Sequence, residues 1–195
     1  MTMQLGAHEA LELHEVLNDA IHGLNTMKLY RPHVKDQNLL SMMDRHMNTC
    51  MMEYNNMVAM ANQHGASQAV PVRHSISNSG FQPTYGLHNP QTQTPAVNVG
   101  EIGDQDAAIY LINSHKQTAS LKMKAALEMA HPTLRRIMQQ AANTSADMAY
   151  EGFQYANQKG YYQVPTLKDT TQDTFLDAYG TTPMMNANQG GTPLM

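Results

Sequence analysis

The stretch from Pro132 to Pro165 limits most strongly what this chain can fold into. Its apolar and small residues recur at alternating steps of three and four, which places them on one face of an α-helix. They are Met138, Ala141, Ser145, Met148, Gly152 and Tyr155. Pro132 suits the first turn of a helix and Gly160 suits its end, so the stretch predicts one long amphipathic helix. Such a helix must pack its apolar face against another element.

An earlier segment, residues 37–61, repeats this pattern. Its apolar stripe precedes the later one by 98 positions (138 − 40) and consists of Leu40, Met43, Met47, Cys50, Tyr54 and Met57. One flank of the stripe repeats as well, with Glu53 aligned on Glu151. We interpret the repeat as the duplication of a helical hairpin.

Two further helices complete the hairpins. The first is predicted from about Ala7 to about Leu29, with His14 and Ile21 beside a stripe of Ala10, Leu13, Leu17, Ala20, Leu24 and Met27. The third is predicted from an N-cap at Asp104 to about Ala130, with Ala108, Leu111, Ile112, His115, Ala119 and Ala126 facing inward. A proline follows each of these helices, and the residue before a proline is disfavoured in the helical conformation.

Residues 65–103 separate the two hairpins and show no periodicity. Loops longer than about 15 residues are uncommon in compact domains, but a bundle whose second and third helices run in the same direction needs a long crossover. We therefore predict an all-α, ferritin-like four-helix bundle made of two helical hairpins joined by a long crossover loop, with a short C-terminal helix and tail. The predicted organisation is a first hairpin at 3–64, the crossover at 65–103, a second hairpin at 104–162, one bundle domain over 3–166, and a short helix and flexible tail at 167–195.

Composition excludes several classes of partner. The net charge of −4 argues against a nucleic-acid partner, which requires a basic face. No run approaches the ~18 apolar residues of a membrane span. The N-terminus shows no secretory signal, so we expect synthesis in the cytosol. The single Cys50 lies on the apolar stripe and is expected to be a buried free thiol.

Four residues, one from each predicted helix, form the candidate site: His14, Glu53, His115 and Glu151. Each lies about five turns from its hairpin connection at ~3.6 residues per turn, so all four are expected at one level of the bundle. Bundle carboxylate proteins bind metals at such a level with Glu-x-x-His motifs, but both glutamates here lack that histidine. Two interpretations stay open: a site for one divalent ion, or a buried polar network that fixes the helix register. The tendency of buried ionisable groups to be paired favours the network.

The sequence contains no recognisable catalytic or cofactor-binding motif. A Gly-rich phosphate loop, a nucleophile elbow and a His-Glu-x-x-His zinc motif are all missing from the sequence. We therefore predict no catalytic residues and no cofactor, apart from the divalent metal considered above.

Several separated blocks of the chain resemble the spore coat F family of endospore-forming bacteria. They run in order from about Met3 to about Thr166 and read LGAHEALELHEVLNDAI, KLYRPHVKDQNLL, EYNN, YGLHNP, LRRIMQQ and AYEGFQYANQKGYYQVPT. The last block, with NQKGYYQVP, is the most specific. The resemblance implies a ferritin-like four-helix domain in a non-enzymatic protein of the spore coat, deposited there after synthesis in the mother-cell cytoplasm. It supplies no catalytic residues.

Two functions are therefore predicted side by side. The first is a structural or assembly component of the endospore coat, with other coat proteins as partners and a possible homo-oligomer. The alternative is a ferritin-like metal-binding protein or oxidoreductase that uses His14, Glu53, His115 and Glu151.

Overall fold

The structure is a computed structural model that describes residues 5–62 and 80–183. Its long elements are all helices, which confirms the all-α fold class. They are α1 (Ala7–Tyr30), α2 (Gln37–Ala61), α3 (Asp104–Glu128), α4 (Pro132–Gln158) and α5 (Asp169–Leu176), with single 3₁₀ turns at Arg31–His33 and Val99–Glu101. The predicted flexible tail beyond residue 183 and the first part of the crossover lie outside the described residues.

Local side chains explain where the helices begin. Asp36 caps α2 by accepting hydrogen bonds from the backbone N–H groups of Asn38 and Leu39. Gly103, and not Asp104 as predicted, is the N-cap of α3. The Asp104 carboxylate instead accepts hydrogen bonds from the N–H groups of Lys35 and Asp36, which ties the start of α3 to the turn between α1 and α2.

The other end of the bundle is fastened in the same way. Glu9, in the first turn of α1, is buried and accepts hydrogen bonds from the N–H groups of Gly6 and His131. These bonds hold the pKa of the Glu9 carboxyl below its usual value. An acid at the start of each hairpin therefore binds the backbone of the turn in the other hairpin.

The core consists of two apolar clusters with a polar layer between them. One cluster lies near the turn between α1 and α2 and is built from Leu24, Met27, Val34, Leu39, Met42, Met43, Ala107, Ala108, Leu111, Ile112 and Ala156. The other lies near the turn between α3 and α4 and is built from Leu13, Val16, Met57, Met60, Ala125, Ala126, Met129, Leu134 and Met138. Buried His46 and Glu53 of α2 fall between the two clusters, as do buried His115 and Lys122 of α3.

Side-chain contacts between helices give the direction of each helix. His46 bonds to His115, and Glu53 bonds to Lys122. Both pairs are 69 residues apart, so α2 and α3 run in the same direction. Glu151 of α4 bonds to His46 of α2. Further along α4, Lys159 bonds to Asp36, which comes before His46 in the chain. Thus α2 and α4 are antiparallel.

The predicted apolar stripes of α1 and α2 are correct only in part. Leu13, Leu24, Met27, Met43 and Met57 are buried as predicted, but each buried face is rotated to include other residues. In α1 the buried residues include Glu9 and Val16, while Ala10 and His14 are exposed. In α2 the stripe shifts by one position, and the duplication then aligns at 99 residues (138 − 39) instead of 98. With that shift, six buried positions of α2 align with six buried positions of α4. The pairs are Leu39 with Met138, Met42 with Ala141, His46 with Ser145, Thr49 with Met148, Glu53 with Gly152, and Met57 with Ala156.

Residues 80–89 of the crossover, here called the strap, are held by amide side chains at and just beyond the end of α4. The Asn157 side chain accepts a hydrogen bond from the N–H of Thr84 at 2.8 Å and donates to its carbonyl at 3.1 Å. Gln163 makes the same pair of bonds with the backbone of His88, at 2.7 and 3.2 Å. Each amide thus pairs with the strap as a neighbouring peptide group would.

The chain divides into two compact units, Met1–Val164 and Pro165–Met195. The second unit contains α5, and every residue of this helix is exposed. Among the described residues, no helix combines the length and the apolar character needed to cross a membrane.

Candidate functional site: a buried polar layer

Three of the four predicted site residues lie in the polar layer. Glu53 and His115 are buried, and Glu151 is largely covered, with 14% of its side chain exposed. His14 is exposed on α1, so the four residues do not form one buried set. A different histidine, His46 of α2, lies in the layer and is fully buried.

Glu53 and Lys122 form a buried ion pair between α2 and α3. The ammonium group of Lys122 lies 2.6 Å from the Glu53 carboxylate and 2.9 Å from the hydroxyl of Ser145 in α4. Both charged side chains are at most 5% exposed. Charges removed from water to this extent are stable only when they are paired and hydrogen-bonded. The pair therefore joins three helices at one level of the bundle.

A second set of contacts runs from the surface into the core through Glu151. Its carboxylate pairs with the Arg45 guanidinium and, 2.9 Å away, with Nε2 of His46. His46 Nδ1 lies 3.1 Å from Nε2 of His115. The two rings meet edge to face, with centroids 4.9 Å apart. Arg45 is half exposed, so the chain of contacts links solvent to the middle of the core.

The hydrogen bonds fix the proton positions on the two rings. A carboxylate only accepts, so His46 Nε2 carries a proton toward Glu151. When His46 is neutral, its Nδ1 accepts, and His115 must donate from Nε2. When both rings are protonated, two N–H groups face each other and the hydrogen bond between the rings is lost. The hydrogen bond between the rings therefore requires that one of the two facing nitrogens carries no proton.

The thiol of Cys50, close to the layer, is chemically quiet. Burial raises the pKa of the Cys50 thiol to about 12. A thiol with that pKa stays protonated at neutral pH, and the thiolate is the form that attacks carbon or binds metals. Cys50 thus behaves as a small apolar side chain, as the sequence predicted for a free thiol in the core.

The layer offers charges that are already compensated by the protein itself. Glu53 faces the Lys122 ammonium, and Glu151 faces the Arg45 guanidinium. Across the described ranges, 5–62 and 80–183, three or more His, Cys, Asp or Glu side chains are nowhere grouped so that they could hold a metal ion. The chemistry that the arrangement supports directly is charge pairing within the protein.

Sequence reasoning missed Arg45, His46, Lys122 and Ser145 as partners in the layer. A signal for two of them was present, because Lys122 follows His115 by seven residues and His46 precedes Glu53 by seven. Residues seven apart share one face of a helix, so each pair was bound to lie on a common side. Lysine is almost never fully buried unless it is paired, so an apolar pattern does not point to Lys122.

These features define an all-α protein with a helical bundle and an ion-paired polar layer inside it. Comparison with known proteins shows what the chain is similar to. Residues 103–165, which include α3 and α4, match the Coat F domain. The spore coat protein F-like protein YhcQ of Bacillus subtilis strain 168 is 29% identical over 189 residues, which are 95% of this chain and 87% of that protein. No solved structure matches the chain.

The chain is thus similar to Coat F proteins over α3 and α4, and to YhcQ over nearly its whole length. The matched domain contains His115 and Lys122 of α3, Glu151 of α4, and Asn157, which holds the strap. The match along nearly the whole chain extends the relationship to α1 and α2.

Proposed function

We propose that the protein is a structural or assembly component of the bacterial endospore coat and is not an enzyme. It is synthesised in the mother-cell cytoplasm and deposited on the developing spore. The support comes from the match of residues 103–165 to the Coat F domain and from the name of the similar protein in Bacillus subtilis, which describes a spore coat protein F-like protein.

One geometric observation carries the structural half of this proposal. The carboxylate of Glu53 is neutralised by Lys122 from the facing helix at 2.6 Å. A divalent ion at this carboxylate would meet the ammonium as a like charge and would have to displace it. The same atoms join α2, α3 and α4, which is what a scaffold requires. No observation among the described residues favours the metal-binding or oxidoreductase alternative.

The ferritin-like assignment belongs to the same proposal. Parallel α2 and α3, with the long crossover between them, are the directions that a bundle of two hairpins with one crossover requires. We propose that the chain keeps this scaffold for its shape, with Lys122 supplying the positive charge that a metal supplies in carboxylate bundles.

The second unit supplies a surface for assembly with other coat proteins. Phe175 and Leu176 of α5 and the nearby Tyr179 are 65%, 62% and 82% exposed. Asp169 and Asp173 recur at a four-residue step, which makes one side of α5 acidic. A helix of eight residues is not stable alone in water, so a partner is expected to order it. The partner that fits is a coat protein with an apolar surface bordered by Lys or Arg.

Fluorescence microscopy of a tagged full-length protein in sporulating cells tests the coat assignment. We expect the signal to leave the mother-cell cytoplasm and surround the developing spore. A signal that stays diffuse until the mother cell lyses would rule out a coat component.

Paired substitutions in α5 separate the assembly surface from the coat assignment itself. Phe175→Asp with Leu176→Asp should reduce retention on the spore several-fold. Thr170→Asp with Thr174→Asp adds the same charge on the side of the helix opposite Phe175 and Leu176 and should leave retention unchanged. Equal retention of both variants would place the partner surface elsewhere while the coat assignment stood.

A further inference from the structure

A small cavity lies between α1, α2 and α3, beside the two parts of the polar layer. It is lined by Asp19, Ala20, Gly23, Leu24, Met27, Cys50, Glu53, Met57, Ser114, His115, Thr118 and Lys122. Glu53 and Lys122 belong to the buried ion pair, and His115 belongs to the histidine pair. The cavity is therefore lined by residues from both hydrogen-bonded parts of the layer.

The cavity has room for one water molecule. The centre of a water-sized sphere can reach about 20 Å³ within it. A bound water needs roughly 10–15 Å³ on the same measure, together with two to four polar partners. The lining offers the Glu53 carboxylate, the Lys122 ammonium and the His115 ring, and the hydroxyls of Ser114 and Thr118 are also present.

The polar groups around the cavity suit a ligand that both donates and accepts hydrogen bonds. Glu53 and Lys122 compensate each other's charge, and Asp19 of α1 disfavours an anion. Water, which both donates and accepts, is the ligand that suits a donor such as Lys122 and an acceptor such as Glu53 together.

We infer that this cavity is a binding site for one internal water molecule that bridges the Glu53–Lys122 ion pair and the His46–His115 pair. With the water bound, the polar layer is one continuous hydrogen-bonded network. Asp19 also lines an open cleft of about 520 Å³ between α1 and α3, and Glu151 lines another of about 380 Å³ beside α2 and α4. The network then reaches from one side of the bundle to the other.

Nuclear magnetic resonance of the full-length protein tests the site through magnetisation transfer from water to methyl groups. The probes are the methyls of Leu24 and Met57, which line the cavity and carry no exchangeable protons. Wild-type protein should show cross-peaks from a long-lived water at both methyls. Ala20→Val adds two methyl groups at the cavity wall and should abolish both cross-peaks.

The control variant is Ala10→Val, which makes the same change at an exposed position of α1. It should retain both cross-peaks. The change in its unfolding temperature measures the effect of the lower helix propensity of valine, which is then subtracted from the change seen in Ala20→Val. After this correction, Ala20→Val should be less stable, because displacing the water removes hydrogen bonds from buried charged groups. Missing cross-peaks in the wild type, or cross-peaks that persist in Ala20→Val, would overturn the inference.

Discussion

Lys122 brings an ammonium group into the middle of the bundle, 2.6 Å from the carboxylate of Glu53. Removing two charges from water costs free energy that their attraction offsets only when the geometry is good. A buried ion pair therefore adds little stability compared with apolar residues of similar size, but it penalises any arrangement that separates the partners. The Glu53–Lys122 pair, seven residues from the His46–His115 pair in both helices, thus favours one register of α2 against α3.

Neutralising one partner of the buried pair should cost far more than replacing both. Glu53→Gln leaves the Lys122 charge uncompensated, and we expect it to lower the free energy of unfolding by about 3–5 kcal/mol. Glu53→Gln combined with Lys122→Met should recover most of this loss. Urea unfolding followed by circular dichroism measures both values.

The surface pair Arg31–Asp44 is the matched control for this experiment. Its side chains are 45% and 39% exposed, so water already screens the interaction. Asp44→Asn should change the stability little. A loss from Glu53→Gln as small as that from Asp44→Asn would contradict a structural role for the buried pair.

At the level of single residues, the sequence predicted the glutamates of the layer better than their partners. Glu53 and Glu151 flank apolar stripes in an internal repeat, and His115 belongs to the inward face of the third helix. The structure places all three in or at the edge of the core. His14 was wrong as a core residue because it was chosen from a stripe that is rotated relative to the buried face of α1. Which cation compensates a buried carboxylate depends on tertiary contacts that no local pattern records.

The helices themselves were predicted closely, because their ends depend on local chemistry. Prolines, the Asp36 cap and Gly160 lie beside the boundaries that they determine. The faces of the helices were predicted less well. In α2, polar His46, Thr49 and Glu53 are buried while Met51 and Met52 are 39% and 51% exposed, so hydrophobicity alone points to the wrong side.

The contact between α3 and α4 depends on Gly152. A Cβ atom at this position would lie 3.0 Å from Cγ1 of Ile112, a fully buried side chain. Isoleucine is stiff because it branches at Cβ, so it cannot move aside easily. Gly152→Ala should therefore destabilise the protein by about 1–3 kcal/mol, measured by thermal unfolding.

Gly23 of α1 gives the control for that substitution. A Cβ atom at Gly23 would have no neighbouring atom within 4 Å outside its own helical turn. Gly23→Ala should stabilise the protein by about 0.5–1 kcal/mol, because alanine loses less conformational freedom in a helix. If Gly152→Ala were equally stabilising, the helices would have room to separate and the close approach would not be required.

For the whole molecule, the sequence predicted that residues 65–103 connect two hairpins but not how any part of them is held. The strap depends on Asn157 and Gln163, whose spacing carries no periodic signal. Asn157 is buried and also donates a hydrogen bond to the carbonyl of Tyr162, so one side chain joins the strap to the end of α4. Such a role depends on segments distant in sequence and is visible only in the folded chain.

Removing this amide should release the strap without unfolding the bundle. Asn157→Ala should speed hydrogen exchange of the Thr84 and Gly86 amides at least tenfold, since Gly86 bonds to Val164 beside the same contact. Gln158→Ala, at the exposed neighbouring position, should leave those rates unchanged. Unaltered exchange in Asn157→Ala would show that other contacts hold the strap.

The charges inside the bundle are compensated by the protein's own cations and serve the scaffold. This compensation is tested by elemental analysis of the purified full-length protein without a His tag, beside a Glu53→Ala, Glu151→Ala variant. We predict far less than one iron, manganese or zinc ion per chain in the wild type and no difference between the two proteins. Near-stoichiometric metal in the wild type that is lost in the variant would contradict the claim and restore the metal-binding alternative.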